Sequence, residues 1–170
     1  MQTIFAEEFK EQSIFRLGEN TPRIIKCLNE LDEAEIWMWP NSASNSVGNL
    51  VLHLCGNIRQ YVISSLGGLP DARERDKEFT TRSGYNKAEL IELLSATLHE
   101  ATATIAAAND ESLLRKRSVQ GFEFTGIGII IHVVEHYSYH TGQIAFWTKL
   151  LKDKDLSFYA GFDLNAKNKL

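Results

Sequence analysis

Disulfide chemistry, membrane spanning and nucleic-acid binding each require something that this sequence has little of. Only two of its 170 residues are cysteine. Cys27 and Cys55 stand far apart among apolar neighbours, with no Cys-x-x-Cys, so they read as buried reduced thiols and not as a disulfide or a zinc ribbon. No window approaches eighteen apolar residues, and the start, Met1-Gln-Thr-Ile-Phe-Ala-Glu-Glu-Phe9, has neither the basic beginning nor the apolar centre of a signal peptide. A cytoplasmic protein without a membrane partner is the expectation. A net charge of −4 and the lack of any Arg-rich run argue against nucleic acid as a partner. The one dense charge cluster, Asp71-Ala-Arg-Glu-Arg-Asp-Lys-Glu78, mixes both signs and reads as a solvated loop. No internal repeat or low-complexity segment is evident, and strand signals are scarce.

What the sequence has is helical periodicity. With 44% hydrophobic and 24% charged residues it has an ordinary globular composition. A chain of this length fits one domain and can bury roughly two-thirds of its unfolded surface. The first helix is expected from about Ile4 to Leu31, with Gly18 to Pro22 a kink or break. Asn45 or Ser46 should cap a second helix with the stripe Val47, Leu50, Val51, Leu54 and Ile58, stopped by Gly67-Gly-Leu-Pro70. After a polar stretch from Pro70 to about Tyr85, Asn86 should cap a third, carrying Leu90, Leu94, Leu98, Ala101 and Ile105. Thr125 should cap the fourth, which reaches about Leu151. The fold class is all-α, a four-helix bundle, and the connection between helices two and three is long enough to be a crossover.

Three histidines at four-residue spacing, His132, His136 and His140, interrupt the apolar run that opens this last helix. Residues four apart are neighbours on one helix face. At 100° per residue from Ile127, His136 and His140 fall at about 180° and about 220°, in the sector of Ile129, Val133, Ile144, Trp147 and Leu151, which reads as the buried stripe. His132, at about 140°, sits at its margin, and Glu135, at about 80°, points toward solvent. An unpaired buried imidazole nitrogen costs about 1–3 kcal/mol. A metal ion removes that cost for one nitrogen of each ring, and an acceptor behind the ring takes the proton of the other. A third ligand should come from a facing helix, and His53, on the flank of the second helix beside Asn57, is the candidate. His99 falls on the wet side of the third helix and reads as a surface residue.

The segments Asn49-Leu-Val-Leu-His53-Leu-Cys-Gly-Asn57 and Val134-Glu-His136-Tyr-Ser-Tyr-His140-Thr-Gly-Gln143-Ile144 resemble the DinB/YfiT-like superfamily, which is unrelated to the DNA polymerase sharing the DinB name. The likeness covers nearly the whole chain. It implies an up-down-down-up bundle, commonly a homodimer, holding a divalent metal with His53, His136 and His140. It also implies a thiol-dependent S-transferase or a related activity on a small-molecule substrate, with a low-molecular-weight thiol as co-substrate. Many members carry Arg directly after the last histidine where this chain has Thr141, a departure that bears on which thiol would be used.

Three neutral imidazoles and an open position suit either a metal-held thiolate or a metal hydroxide, so hydrolysis stands beside S-transfer. Zinc or nickel is the first expectation for the ion, and imidazole also accepts iron, copper or manganese. No side chain is marked out as a catalytic acid or base. Asn57, Tyr61, His132, Tyr137 and Gln143 are the candidates to support the ligands or line a substrate pocket. The competing reading is a non-catalytic metal-binding or dimerising stress-related bundle, and it would gain if His132 closed the site as a fourth ligand.

Overall fold

Six polar residues, Thr3, Asp32, Ser46, Asn86, Asn109 and Thr125, each end an extended stretch and accept a hydrogen bond from the backbone N–H three residues on. A helix begins after every one, because an N-cap side chain satisfies a donor that the first turn leaves without a partner. The computed structural model describes residues 3–168, so the first two residues of the signal-peptide reading lie outside it. Helices α1 (Ile4–Glu30), α2 (Glu33–Ile36) and α3 (Val47–Ile58) come first. The last continues without a break into wider π-helical turns over Arg59–Leu66, where the Gly67 N–H still reaches back five residues to the Val62 carbonyl. Then follow α4 (Arg75–Thr80), α5 (Lys87–Ala107), α6 (Asp110–Leu114), a hairpin of β1 (Lys116–Val119) and β2 (Phe122–Thr125), and α7 (Gly126–Lys152).

Side-chain bonds between helices fix the direction of each. Lys154 pairs with Glu30, and Lys152 with Glu35, so the C-terminal ends of α1 and α7 lie together and the two run parallel. Lys10, near the start of α1, donates to the carbonyls of Ala106 and Ala108 at the end of α5, which makes that pair antiparallel. Cys55 lies beside Thr97, Arg59 meets Glu100, and Gly67, further on, lies beside Thr104, so α3 and α5 run the same way. His53 meets His136 while Tyr61, further along, stacks on the earlier His132, so α3 and α7 are antiparallel. The order is therefore up-down-down-up, with residues 67–86 crossing back along the bundle. One apolar core joins Leu17, Ile24, Val51, Leu54, Leu94, Ile105, Ile130 and Ile144, and Cys27 and Cys55 are free thiols within it. No helix among the described residues is long and apolar enough to cross a membrane.

Two expectations differ from what is observed. Helix α1 runs uninterrupted through Gly18–Pro22. Proline removes one backbone donor there, yet Leu17 and Ile24 are fully buried on either side and Thr21 meets Tyr137 of α7, so packing carries the helix across. The hairpin was not anticipated, since its strands are four residues each. It turns on Gln120 and Gly121, both at positive φ (51° and 80°), the left-handed pair that a two-residue turn matched to strand twist requires.

Candidate metal centre

Along α7 the buried line runs Ile130, Val133, Tyr137, Thr141, Ile144, Thr148. This corrects the angular reading, because the middle of the stripe lies roughly 90° round the helix from His136. The reason is polar self-sufficiency. Tyr137 Oη meets Thr21 Oγ1 at 3.0 Å, and Thr141 donates to the Tyr137 carbonyl at 2.7 Å, so both enter the core with their polar atoms satisfied. The three imidazoles are left half-buried on the edge facing α3. Tyr137 therefore belongs to the α1–α7 contact and not to the group around the histidines.

Across that edge α3 presents His53, which is 7% exposed. Its Nε2 stands 3.0 Å from His136 Nε2, and His136 Nε2 stands 3.2 Å from His140 Nε2. The candidate ligand atoms of the three rings all lie within 4.8 Å of one another, so the group could hold a metal ion. Two imidazole nitrogens bound to one tetrahedral ion at 2.0–2.1 Å stand about 3.3 Å apart, close to the two spacings found here.

The outer nitrogens decide where the inner lone pairs point. His53 Nδ1 donates to Glu78 Oε2 at 2.9 Å, and Arg73 locks the same carboxylate with Nε to Oε1 at 2.7 Å and Nη2 to Oε2 at 2.9 Å. His140 Nδ1 donates to Gln143 Oε1 at 2.6 Å. With protons on those Nδ1 atoms, the Nε2 lone pairs of His53 and His140 face the shared centre. His136 Nδ1 is buried without a partner.

Electrostatics favour the neutral rings that metal binding needs. Burial, helped by the positive charge that His140, His53, His132 and Arg73 can carry, pushes His136 down to about 3. Burial also lowers His140, against the pull of Gln143, and lowers His132. Burial alone would raise Glu78, but hydrogen bonds from Arg73 and His53 outweigh it and hold the carboxyl below its ordinary value.

His132 does not join the triad. Its Nε2 accepts from Asn57 Nδ2 at 3.2 Å, and its ring stacks on Tyr61 with centroids 4.2 Å apart. Tyr61 in turn donates to Gln120 Oε1 at 2.9 Å. Asn57, Tyr61 and His132 thus form a layer beside the triad, and Gln143 touches it directly. His99 and Glu135 are exposed.

The sequence alone does not mark Arg73, Glu78 or Phe79 as site residues, and the charged cluster that contains the first two is not simply a solvated loop. Arg73 and Glu78 side chains are only 3% and 9% exposed, while Glu74, Arg75, Asp76 and Lys77 face water. Phe79 packs on the His53 ring at 4.7 Å. Gly56 makes this approach possible, since a Cβ there would collide with Glu78 Oε1. One signal was available, namely that a buried imidazole ligand calls for a carboxylate behind it, and Glu78-Phe79 is where the cluster turns apolar. Of the two tryptophans preceding α3, Trp37 donates to the Tyr85 carbonyl and Trp39 lies under Arg82.

A sequence profile of the family described as "Protein of unknown function (DUF1572)" matches residues 4–160. Among solved structures, a conserved protein from Enterococcus faecalis superposes with a TM-score of 0.72 at 17% identity, covering 85% of this chain and 97% of that one. A DinB-like protein, YjoA, from Bacillus subtilis superposes with a TM-score of 0.67 at 17% identity, covering 87% and 96%. None of the curated proteins compared matches this chain. The fold is DinB-like.

Proposed function

This chain belongs to the DUF1572 family, and from that premise and the convergence of its imidazoles we propose a divalent-metal-dependent enzyme that joins a low-molecular-weight thiol to an electrophilic small molecule. One observation carries the reading: among the described residues no fourth histidine, cysteine, aspartate or glutamate joins the three-histidine group. The residue placed to close it, His132, is committed to Asn57 and Tyr61. Three neutral imidazoles with one side open is the ligand pattern of catalytic metal sites, whereas structural sites fill all four positions.

His53, His136 and His140 would hold the ion through Nε2, with zinc or nickel expected first. When bound, a divalent ion there would supply a Lewis-acid centre that keeps a thiol in its thiolate form at neutral pH. Glu78 keeps the proton on His53 Nδ1, and Gln143 keeps that on His140 Nδ1. Phe79 shields one face of His53. The substrate in this reading is a small molecule, and the homodimer that the superfamily resemblance implies is proposed with it.

Hydrolysis is the second reading of the same triad, because a divalent ion there would also bring the pKa of bound water to about 7. That reading has no carboxylate free to assist as a general base, since Glu78 is tied to Arg73 and His53 and Glu135 is exposed on α7.

The test is metal content by plasma mass spectrometry on untagged protein and on His136→Ala, followed by thiol conjugation to monochlorobimane with and without metal. About one ion per chain, lost in the variant, together with metal-dependent conjugation, supports the reading. No uptake of added zinc or nickel overturns it. Metal uptake with no conjugation or hydrolysis leaves a non-catalytic metal-binding bundle.

A further inference from the structure

The face of α7 opposite its buried line is not a polar one. Ile131, Tyr139, Phe146 and Leu150 are each more than half exposed there, and an apolar stripe of that length on a helix surface marks a place where another protein docks. At about 100° per residue, Glu135, Tyr139, Gly142, Phe146 and Lys149 fall within about 80° of one another round the helix. They recur at alternating intervals of four and three, which is the spacing of a seam between two packed helices.

The charges at the two ends of this seam are opposite and equally far from its middle, Glu135 seven residues before Gly142 and Lys149 seven after it. Among the described residues neither forms a salt bridge. Arg16 and Arg23, which share a surface hollow with Glu135, are both taken by Glu19. Asp155, the acid whose field reaches Lys149, accepts from the Ser157 backbone N–H at 2.9 Å. Beyond the backbone of α7 itself, a Cβ at Gly142 would meet nothing within 4 Å, so the middle of the seam is open to close approach by another helix.

We propose that this face binds a second copy of the chain, α7 antiparallel to α7, about a two-fold axis at Gly142. Such an axis sets each residue against the one equally far on its other side. Glu135 then faces the second copy's Lys149 and Lys149 its Glu135, so the charges are matched twice, whereas a parallel pair would oppose like charges at both ends. Tyr139 packs against the second copy's Phe146 on either side of the axis, and glycine against glycine lets the helices close to about 8 Å. This goes beyond the homodimer proposed above by fixing its face and register, and it does not rest on the metal. It does give the interface a bearing on the triad, because the Tyr139 ring, which the second copy covers, meets the His140 ring edge-on at 5.0 Å.

The test is sedimentation equilibrium of the full chain at micromolar concentration in EDTA, so that the outcome is independent of metal uptake. A dimer is expected. Phe146→Asp should leave a monomer. Glu135→Lys and Lys149→Glu should each weaken the dimer by about tenfold or more, since each sets two like-charge pairs across the axis, and the double variant Glu135→Lys/Lys149→Glu should restore it. Gly142→Cys should cross-link to completion on oxidation, because the axis holds its two α-carbons within the span of a disulfide. His99→Cys, on an exposed face of α5, should not cross-link, and the native Cys27 and Cys55 are buried. All the substituted positions are exposed, so the core is left untouched. A monomeric parent, a dimer indifferent to Phe146→Asp, charge reversals that the double variant fails to rescue, or absent cross-linking of Gly142→Cys overturns the proposal.

Discussion

Glu78 Oε2 accepts a hydrogen bond from His53 Nδ1 at 2.9 Å, although the two residues sit on separate helices joined through a π-helical turn and an extended stretch. The carboxylate fixes the tautomer of the ring and raises the basicity of the nitrogen on its other side. Glu78→Gln should keep the fold and weaken zinc binding by about 10–100-fold, read by competition with a chromophoric chelator. Equal affinity in the variant would remove Glu78 from the site.

The triad itself makes a sharper demand. His53→Ala, His136→Ala and His140→Ala should each abolish stoichiometric metal uptake. His99→Ala, on an exposed face of α5, should bind as the parent does. His132→Ala should also retain about one ion per chain, because its imidazole is bonded to Asn57 and not turned into the group. Plasma mass spectrometry on all five variants checks this, and tight binding retained in all three triad variants would discard the site.

Gly56 is a space constraint. A methyl group there collides with the Glu78 carboxylate, which Arg73 and His53 hold on the other side. Gly56→Ala should therefore destabilise the protein by about 1–3 kcal/mol, the usual cost of overpacking. Ordinarily alanine for glycine inside a helix stabilises by roughly 0.5–1 kcal/mol. Urea unfolding of the variant decides between the two signs.

The depressed histidines give stability a direction in pH. An unfolded histidine titrates near 6.5, whereas His136 in the fold is held down to about 3. Between those values the unfolded chain binds a proton that the folded chain refuses, so stability is full above about 6.5 and falls as pH drops toward 3. Glu78, whose carboxyl is also depressed, adds a loss of the same sign at the lower end. Thermal midpoints of metal-free protein across this range should decline with acidification, and His136→Asn should flatten the slope. A slope unchanged in that variant would contradict the assignment.

Much of this architecture could be read from residue order because the cues were local. Ser46, Asn86 and Thr125 are capping residues followed by apolar periodicity, and helices begin after them. His136 and His140 could be picked out by their four-residue spacing and His53 by its place on the flank of the facing helix, and the fold brings the three together. The helical wheel failed on α7 because it counts Tyr137 and Thr141 as polar, and their hydroxyls become buriable only once Thr21 and the Tyr137 carbonyl are in place. Arg73 and Glu78 were unreadable for a related reason. Mixed charge looks solvated in a one-dimensional chain, and only the crossover brings these two against a buried imidazole. Pro22 shows the reverse case, in which a strong local breaker yields to flanking core contacts.

The parallel pairing of α3 and α5 obliges the chain to travel back along the bundle before α5 can start, and that return path carries Arg73, Glu78 and Phe79. The histidines sit on the load-carrying helices, whereas the groups that set the basicity of His53 sit on a connector whose other charged residues face water. Ligand identity and ligand tuning are thus encoded in separable parts of the polypeptide. On the proposed metal reading, one ion preference or reactivity could be exchanged for another by rewriting a short strap, while the four-helix scaffold and its imidazoles stay as they are.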